Sequence, residues 1–350
     1  MTVNVEKNIE ELKSTISAVE GDVHIAIFTH PTPDPDAIAS AMGIERLIKH
    51  LEPNTKVTIV YSGEISHSQN KTLINVLGAN LTHITEIDKV DEFANFNIVV
   101  DAVPERCFNG EKINCLMCID HHRNDTKFAQ IKDIRQVGST SSIVWEYLIK
   151  SGIELDPDND IDVQIATALV VGIKTDTNDF VSDTRAEIDF EAHKHLLNLV
   201  DKSALAKIIN YPIPSYFFEL RSQLDKEENA KVKNGVFVGG IGIVPGAKRD
   251  TLPMMADERS RAEGVETAFV FAIVDDHIDV SVRSVSPSVE VNGLCQKLFG
   301  KQYAGGKQGA GAAKIPLDFM GPSDSEPDVQ ECIWKAVRQK MFEQIFNMMT

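Results

Sequence analysis

The sequence predicts an α/β protein. A mostly parallel sheet covered by helices should occupy residues 1–200, followed by a helical linker over 201–230 and a smaller α+β domain over 231–350. Three observations lead there. Short β-branched runs alternate with helical segments from residue 20 to about 180, the pattern of strands joined by crossover helices. Beyond the punctuation of Pro212 and Pro214 the pattern changes to apolar strand-like runs with intervening helices. At 350 residues the chain is long enough for two separate cores.

Residues 1–21 (MTVNVEKNIEELKSTISAVEG) read as an amphipathic helix carrying acidic residues rather than as a signal peptide. Strands are expected at 23–28, 56–61, 97–101 and 113–119, each a short apolar run. Helices are expected at 36–51, 69–77, 140–151 and 160–173, with a further helix at 184–199. Helical stretches at 202–209 and 214–230 should bridge the two domains. In the second domain, 236–244, 267–274 and 277–284 read as strands, and 250–263, 288–299 and 326–348 as helices. A glycine-rich loop, Gly305-Gly306-Lys307-Gln308-Gly309-Ala310-Gly311, lies before the last helix.

Composition narrows the function. Hydrophobic content of 43% with 25% charged residues fits a soluble globular protein, and no run of about 18 apolar residues offers a membrane span. Five cysteines, an odd number in so long a chain, suggest reduced thiols and a cytoplasmic location. Cys115 and Cys118 lie inside an expected strand with no second CxxC, so they read as small core residues rather than metal ligands. A net charge of −17 leaves no basic footprint for a long nucleic acid, while small phosphorylated substrates remain compatible.

Asp120-His121-His122 emerges where the apolar run 113–119 ends. Three other polar stretches stand in similar settings: His30-x3-Asp34-x-Asp36 after VHIAIF, Asp101 after FNIVV, and Asp176 after VQIATALVVGI. Carboxylates and imidazoles at the carboxyl ends of successive strands of one sheet converge on one crevice. So many acidic groups in one crevice need cations, and the carboxylate-plus-imidazole donor set suits Mn²⁺ or similar ions. Pro33 and Pro35 fix φ on either side of Asp34, and the small residues from Ala37 onward begin a closely packed helix whose N-terminal dipole favours anions. Each stretch has an ordinary alternative when taken alone. Asp34 or Asp36 can simply cap a helix, Asp101 and Asp176 can start turns, and His121-His122 can be a solvated pair. Together they favour a metal site.

HPTPDPDAIAS, VVDAVPERC, IDHHRND and GIKTDTNDF, in this order, resemble the four motifs of the DHH phosphoesterases. That superfamily includes RecJ-type exonucleases, family II inorganic pyrophosphatases, and bacterial nanoRNases that also dephosphorylate 3′-phosphoadenosine 5′-phosphate. The resemblance is strongest over residues 20–180; the C-terminal part is similar to the DHH-associated domain of the nanoRNase branch through HIDVSVRS and the glycine loop. It implies a catalytic domain over 1–200, a substrate-binding domain over 231–350, and an active site in the cleft between them. It further implies two divalent ions, usually Mn²⁺, with Mg²⁺ or Co²⁺ as other candidates. His30, Asp34 and Asp101 would hold the first ion. Asp36, Asp101, His121 and Asp176 would hold the second, with Asp101 bridging. Asp120 would orient the neighbouring imidazoles, and His122 would face the substrate phosphate. Ser40 and Arg106 match further motif positions. Two ions about 3.5–4 Å apart can acidify a water and clamp phosphoryl oxygens for in-line attack.

The substrate side rests on Arg283, with Ser284 beside it, and on Gly305, Gly306, Lys307 and Gln308. Relatives of the nanoRNase branch carry a histidine where this chain has Gln308, and Gln can donate a hydrogen bond but cannot carry a charge. Lys248 and Arg249 form another cationic pair, read as solvated surface. The leading expectation is hydrolysis of a short oligonucleotide or a nucleotide bisphosphate. An inorganic pyrophosphatase or polyphosphatase, a cyclic dinucleotide phosphodiesterase, and a non-catalytic nucleotide sensor are the rivals. A homodimer formed through the N-terminal domain is expected by resemblance alone.

Overall fold

The computed structural model describes residues 3–107, 114–122, 124–181, 186–307, 309–322 and 325–349. Two compact units divide the chain, Met1–Pro212 and Ile213–Thr350. The expected linker is therefore split: one of its helices belongs to the first unit and the other to the second.

In the first unit the order is α1 (Val5–Ser17), β1 (His24–Phe28), α2 (Pro35–Leu51), β2 (Lys56–Tyr61), α3 (Ser68–Leu77), β3 (Leu81–His83), β4 (Phe96–Val100), β5 (Cys115–Asp120), β6 (Ala129–Ile134), α4 (Thr140–Lys150), α5 (Asp160–Asp176), α6 (Glu187–Leu196) and α7 (Lys202–Ile209). The sheet runs β3-β2-β1-β4-β5-β6, and every pairing is parallel. The chain builds outward from β1 on one side through β2 and β3, then returns to place β4 on the other side. The carboxyl ends of β1 and β4 thus flank the point where the winding reverses, which is where open parallel sheets bind ligands.

Central strands of such a sheet are buried on both faces, which is why they read as continuous apolar runs. Ile25, Ile27, Ile98 and Val100 enter the main core with Ile44 and Leu47 of α2 and Val170 and Ile173 of α5. The opposite face holds Ala26, Phe28, Val99 and the thiols of Cys107, Cys115 and Cys118. Each fully buried Ile or Val is worth about 1.5–3 kcal/mol. Both cysteines of the CxxC are core residues, and burial pushes the Cys115 thiol up to about 12. Strands β3 and β6 were not expected; β3 has three residues and β6 alternates buried and exposed side chains, so neither offers an apolar run.

The second unit contains α8 (Ser215–Leu224), β7 (Ala230–Lys233), β8 (Val236–Val244), α9 (Thr251–Ser260), β9 (Thr267–Val274), β10 (His277–Ser284), α10 (Val291–Phe299), β11 (Ala304–Lys307), β12 (Ala310–Pro316) and α11 (Pro327–Met349). Its sheet runs β11-β12-β10-β9-β8-β7 and is mixed, with β8 and β9 parallel and the other neighbours antiparallel. Residues of α10 and α11 join one core cluster, and residues of α8 and α9 join the other. The helix expected over 214–230 stops at Leu224 and is followed by β7.

The glycine stretch expected as a loop is the hairpin of β11 and β12. A Cβ on Gly306 would fall 2.5 Å from the Ala310 carbonyl oxygen, and one on Gly311 would fall 2.6 Å from Cys295 Sγ. Gly309 turns the chain at φ +72. These glycines therefore have packing and turn roles within the sheet. Among the described residues, no helix is long and apolar enough to cross a membrane.

Candidate metal centre

The end of β1 delivers His30 and Asp34. Asp34 is the N-cap of α2, and its Oδ1 accepts the N–H groups of Asp36 and Ala37, both at 3.1 Å. The same oxygen lies 3.8 Å from His30 Nε2, so capping and ligation draw on one side chain. Asp36, in the first turn of α2, is fully buried. It accepts the N–H of Thr140 at 2.7 Å and of Ser141 at 2.8 Å, both from the first turn of α4. An ionised carboxylate at a helix N-terminus is stabilised by the aligned peptide dipoles.

Asp101 follows β4 with φ 56, in the left-handed region that a non-glycine residue enters only at a cost. That turn aims its buried carboxylate at His30 (Oδ2 to Nε2, 3.7 Å) and His121 (Oδ1 to Nε2, 3.5 Å). Thr140 Oγ1 donates to Asp101 Oδ1 at 2.8 Å. Asp176 does not follow a strand; it is the last residue of α5. Asn178, Asp179 and Phe180 all hold positive φ, and the Asp179 N–H donates to the Lys174 carbonyl at 2.8 Å, which ends the helix just past Asp176. Asp176 Oδ2 lies 2.8 Å from His121 Nε2.

The triplet at the end of β5 divides between two environments. His121 is nearly buried, with 9% of its side chain exposed, whereas His122 exposes 46%. Asp120 accepts from His122 Nδ1 at 2.8 Å, from the His122 N–H at 3.1 Å and from Asn124 Nδ2 at 2.9 Å. Asp120 therefore orients His122 alone. His121 is held instead through Nδ1 by the Val137 carbonyl, at 3.1 Å.

Three sets of side chains bring ligand atoms within 4.8 Å of one another: His30, Asp34 and Asp101; Asp36, His121 and Asp176; and Asp101, His121 and His122. The first is the set expected for one ion. The second contains three of the four residues expected for the other, and Asp101 touches both groups through His30 and His121. His122 is the weakest member of the third set, because its Nδ1 is already hydrogen-bonded to Asp120.

A cation fits these donors. The Val137 carbonyl can only accept, so His121 carries its proton on Nδ1 and, when neutral, aims the Nε2 lone pair at the carboxylates. That Nε2 is buried, 2.8 Å from Asp176 Oδ2 and 3.5 Å from Asp101 Oδ1, so a proton or a cation must stand between the ring and the carboxylates. Charge points the same way. Burial, with the charges of Asp36, Asp34 and Asp176, holds the Asp101 carboxyl well above the usual range. Burial and the Asp176 charge lift Asp36 to about 6, against the opposing effect of His121. Burial disfavours the charged His121 ring, but Asp176 and Asp36 outweigh it and raise it to about 9. His30 is raised in the same way, by Asp34 against burial. Asp120 differs: burial is overcome by the bonds from His122 and Asn124, and its carboxyl is lowered. The interior of the site thus gathers negative charge that only protons or cations can relieve.

Sequence reasoning overlooked Val137, Thr140 and Ser141. The signal lay in GSTSS (138–142), a run of helix-capping residues at the start of α4. Ser40 is buried one turn beyond Asp36, with no partner for its Oγ among the described residues, and Arg106 is exposed in the short helical turn Pro104–Arg106.

In the second unit, Arg283 Nε donates to Asp257 at 2.5 Å and its Nη1 to the Val282 carbonyl at 3.0 Å. The Ser284 hydroxyl is engaged within its own sheet, 2.9 Å from Thr267 Oγ1. The Gly306 N–H donates to Asn292 Oδ1 at 3.1 Å, and Gly305 pairs with Ala312. Lys307 lies in β11, and Gln308 lies outside the described residues. Lys248 and Arg249 do not act as a pair: Lys248 sits over the Tyr216 ring, and Arg249 binds Asp279 at 3.0 Å.

Residues 24–173 match the DHH family, N-terminal domain. The chain is 34% identical over 345 residues to the uncharacterized protein MJ1633 of Methanocaldococcus jannaschii, covering 98% of this chain and 66% of that relative. It thus spans about two thirds of that relative's length. It is 27% identical over 308 residues to the bifunctional oligoribonuclease and PAP phosphatase NrnA of Bacillus subtilis, covering 83% of this chain and 89% of that one. Its fold is similar to that of an exopolyphosphatase-related protein from Bacteroides fragilis, with a TM-score of 0.69 at 16% identity over 97% of this chain and 98% of the other. With the matched domain spanning the sheet from β1 to α5 and the likeness to these relatives extending along nearly all of its length, the chain belongs to the DHH family of phosphoesterases.

Proposed function

We propose that this protein hydrolyses a phosphoester bond in a short oligonucleotide or a nucleotide bisphosphate, using two divalent cations, Mn²⁺ foremost, and water. The observation that carries the reading is the placement of His121 Nε2, buried and able to offer a lone pair once it has lost its proton, beside the carboxylates of Asp176 and Asp101. His30, Asp34 and Asp101 are assigned to one cation, and Asp36, Asp101, His121 and Asp176 to the other. Bound there, two cations supply an acidified water and neutralise charge on the phosphoryl oxygens.

The chain's own residues supply positioning and proton transfer. Thr140 and Ser141 fix Asp36, and Thr140 also fixes Asp101. Asp120, kept ionised, accepts the Nδ1 proton of His122, so His122 Nε2 is the atom that meets the substrate. Its exposure supports that role: a ring 46% exposed can reach a leaving oxygen, whereas His121 cannot. Selection of the substrate is assigned to the second unit, where Arg283 is anchored by Asp257 and can present a fixed guanidinium to a phosphate. The likeness to NrnA favours short oligonucleotides and the bisphosphate over pyrophosphate.

One panel tests the proposal. With Mn²⁺ present, turnover is measured on a dinucleotide, 3′-phosphoadenosine 5′-phosphate, a cyclic dinucleotide and pyrophosphate. Turnover is expected on the first two. Preference for pyrophosphate or the cyclic dinucleotide would replace the substrate, and no turnover of any compound with Mn²⁺, Mg²⁺ or Co²⁺ would sink the enzymatic reading.

A further inference from the structure

Four candidate ligands are framed by one short segment, the connection that follows β6 together with the first turn of α4. Val137 offers its carbonyl to His121 Nδ1. Gly138 faces Thr177, the neighbour of Asp176, so closely that a Cβ on it would fall 2.5 Å from Thr177 Cγ2. Thr140 and Ser141 hold Asp36, and Thr140 holds Asp101. The geometry of this connection therefore sets where Asp36, Asp101 and His121 stand, and it packs against the residue beside Asp176.

Asp189 of α6, fully buried, is the side chain that pins the connection. Its Oδ2 accepts the Gly138 N–H at 2.8 Å and the Ala186 N–H at 2.6 Å, and its Oδ1 lies 3.5 Å from Ser139 Oγ. The Ala186 bond is ordinary: an acidic residue in the first helical turn often reaches back to its own N-cap N–H. The Gly138 bond is not, because it joins the start of α6 to a residue 51 positions earlier, between the His121 acceptor and the Asp36 donors. Gly138 has no room for a side chain there, since a Cβ would also fall 2.5 Å from Asp189 Oδ2.

We infer that Asp189, through Gly138, is a positioning residue for the metal centre, setting the frame that holds Asp36, Asp101 and His121 without itself touching an ion. The inference rests on the two-cation reading above. Outer partners of metal ligands commonly govern affinity by about 10–100-fold, and this one acts on several ligands through a single connection.

Binding of Mn²⁺ to the full chain, followed by loss of the free-ion electron paramagnetic resonance signal, provides the test without depending on turnover. The melting temperature of each metal-free variant is measured alongside. Asp189→Ala and Gly138→Ala are expected to weaken Mn²⁺ binding by about 10–100-fold. In Asp189→Asn the carboxamide oxygen can still accept both backbone N–H bonds, so affinity should stay within about threefold of wild type. A merely structural role would lower the melting temperatures and leave the affinity of the folded protein unchanged. Wild-type affinity in both alanine variants, or equal loss in Asp189→Asn, overturns the inference. If Asp189→Ala does not fold, the comparison of Gly138→Ala with Asp189→Asn discriminates in the same way. No Mn²⁺ binding by wild type would instead sink the metal reading itself, so the two failures are distinguishable.

Discussion

Gly172 lies inside α5, where helix propensity alone says it should be alanine; the exchange gains about 1 kcal/mol in an unconstrained helix. The structure opposes that gain. A Cβ at 172 would meet Ser141 Oγ, and it would lie 3.1 Å from both the Cα and the Oδ1 of Asp36. Ser141 can rotate its hydroxyl away. The Asp36 Cα is helix backbone and cannot, so α2 and α5 must separate by a few tenths of an ångström or Asp36 must tilt. Inserting a methyl group into a closed interior typically costs about 1–3 kcal/mol. Subtracting the propensity gain leaves Gly172→Ala about 0–2 kcal/mol less stable than wild type. The larger effect falls on function, because a tilted Asp36 lengthens its bonds from Thr140 and Ser141, now 2.7 and 2.8 Å. Urea unfolding of the metal-free protein gives the stability change, and Mn²⁺ titration gives the affinity, expected to drop about tenfold. A variant stabilised by the full 1 kcal/mol or so, with Mn²⁺ affinity unchanged, would refute the reasoning.

Two further outcomes follow from the same geometry. Asp36, at about 6, and His121, at about 9, must each lose a proton to bind a cation, so Mn²⁺ affinity should rise with pH. The slope should be at least about one decade per pH unit below pH 9, since the raised Asp101 and His30 add protons to those lost from His121 and Asp36; affinity flat between pH 5 and 8, measured by titration calorimetry, would contradict the protonation scheme. Asp101→Gly removes a buried carboxylate and relieves a left-handed backbone that costs a non-glycine residue about 1–2 kcal/mol. The metal-free variant should therefore melt above wild type while losing Mn²⁺ binding and turnover, the trade expected where a site is built against stability; a lower melting temperature in a folded variant would argue that Asp101 is structural.

By itself the sequence determined the class of fold and the identity of the candidate ligands. Buried parallel strands must be apolar throughout, so β1, β2, β4 and β5 stood out as runs, and the polar residues that end three of them were conspicuous for the same reason. Short or half-exposed strands carry no such signal, and β3, β6, β7, β11 and β12 emerged only once their partners were in place. The glycine-rich stretch 305–311 read as a loop because glycine signals conformational freedom; the hairpin uses Gly306 and Gly311 for lack of a Cβ instead. Tertiary structure alone decided what holds each ligand. The Val137 carbonyl behind His121, the α4 N–H groups on Asp36 and the Asp189 contact with Gly138 join residues 16, 104, 105 and 51 positions apart. Backbone donors and acceptors are the same in every residue, so no sequence pattern marks which of them will meet a particular side chain. Ligand chemistry is a property of residue type and is written in the chain, whereas ligand orientation depends on backbone groups that only folding brings together.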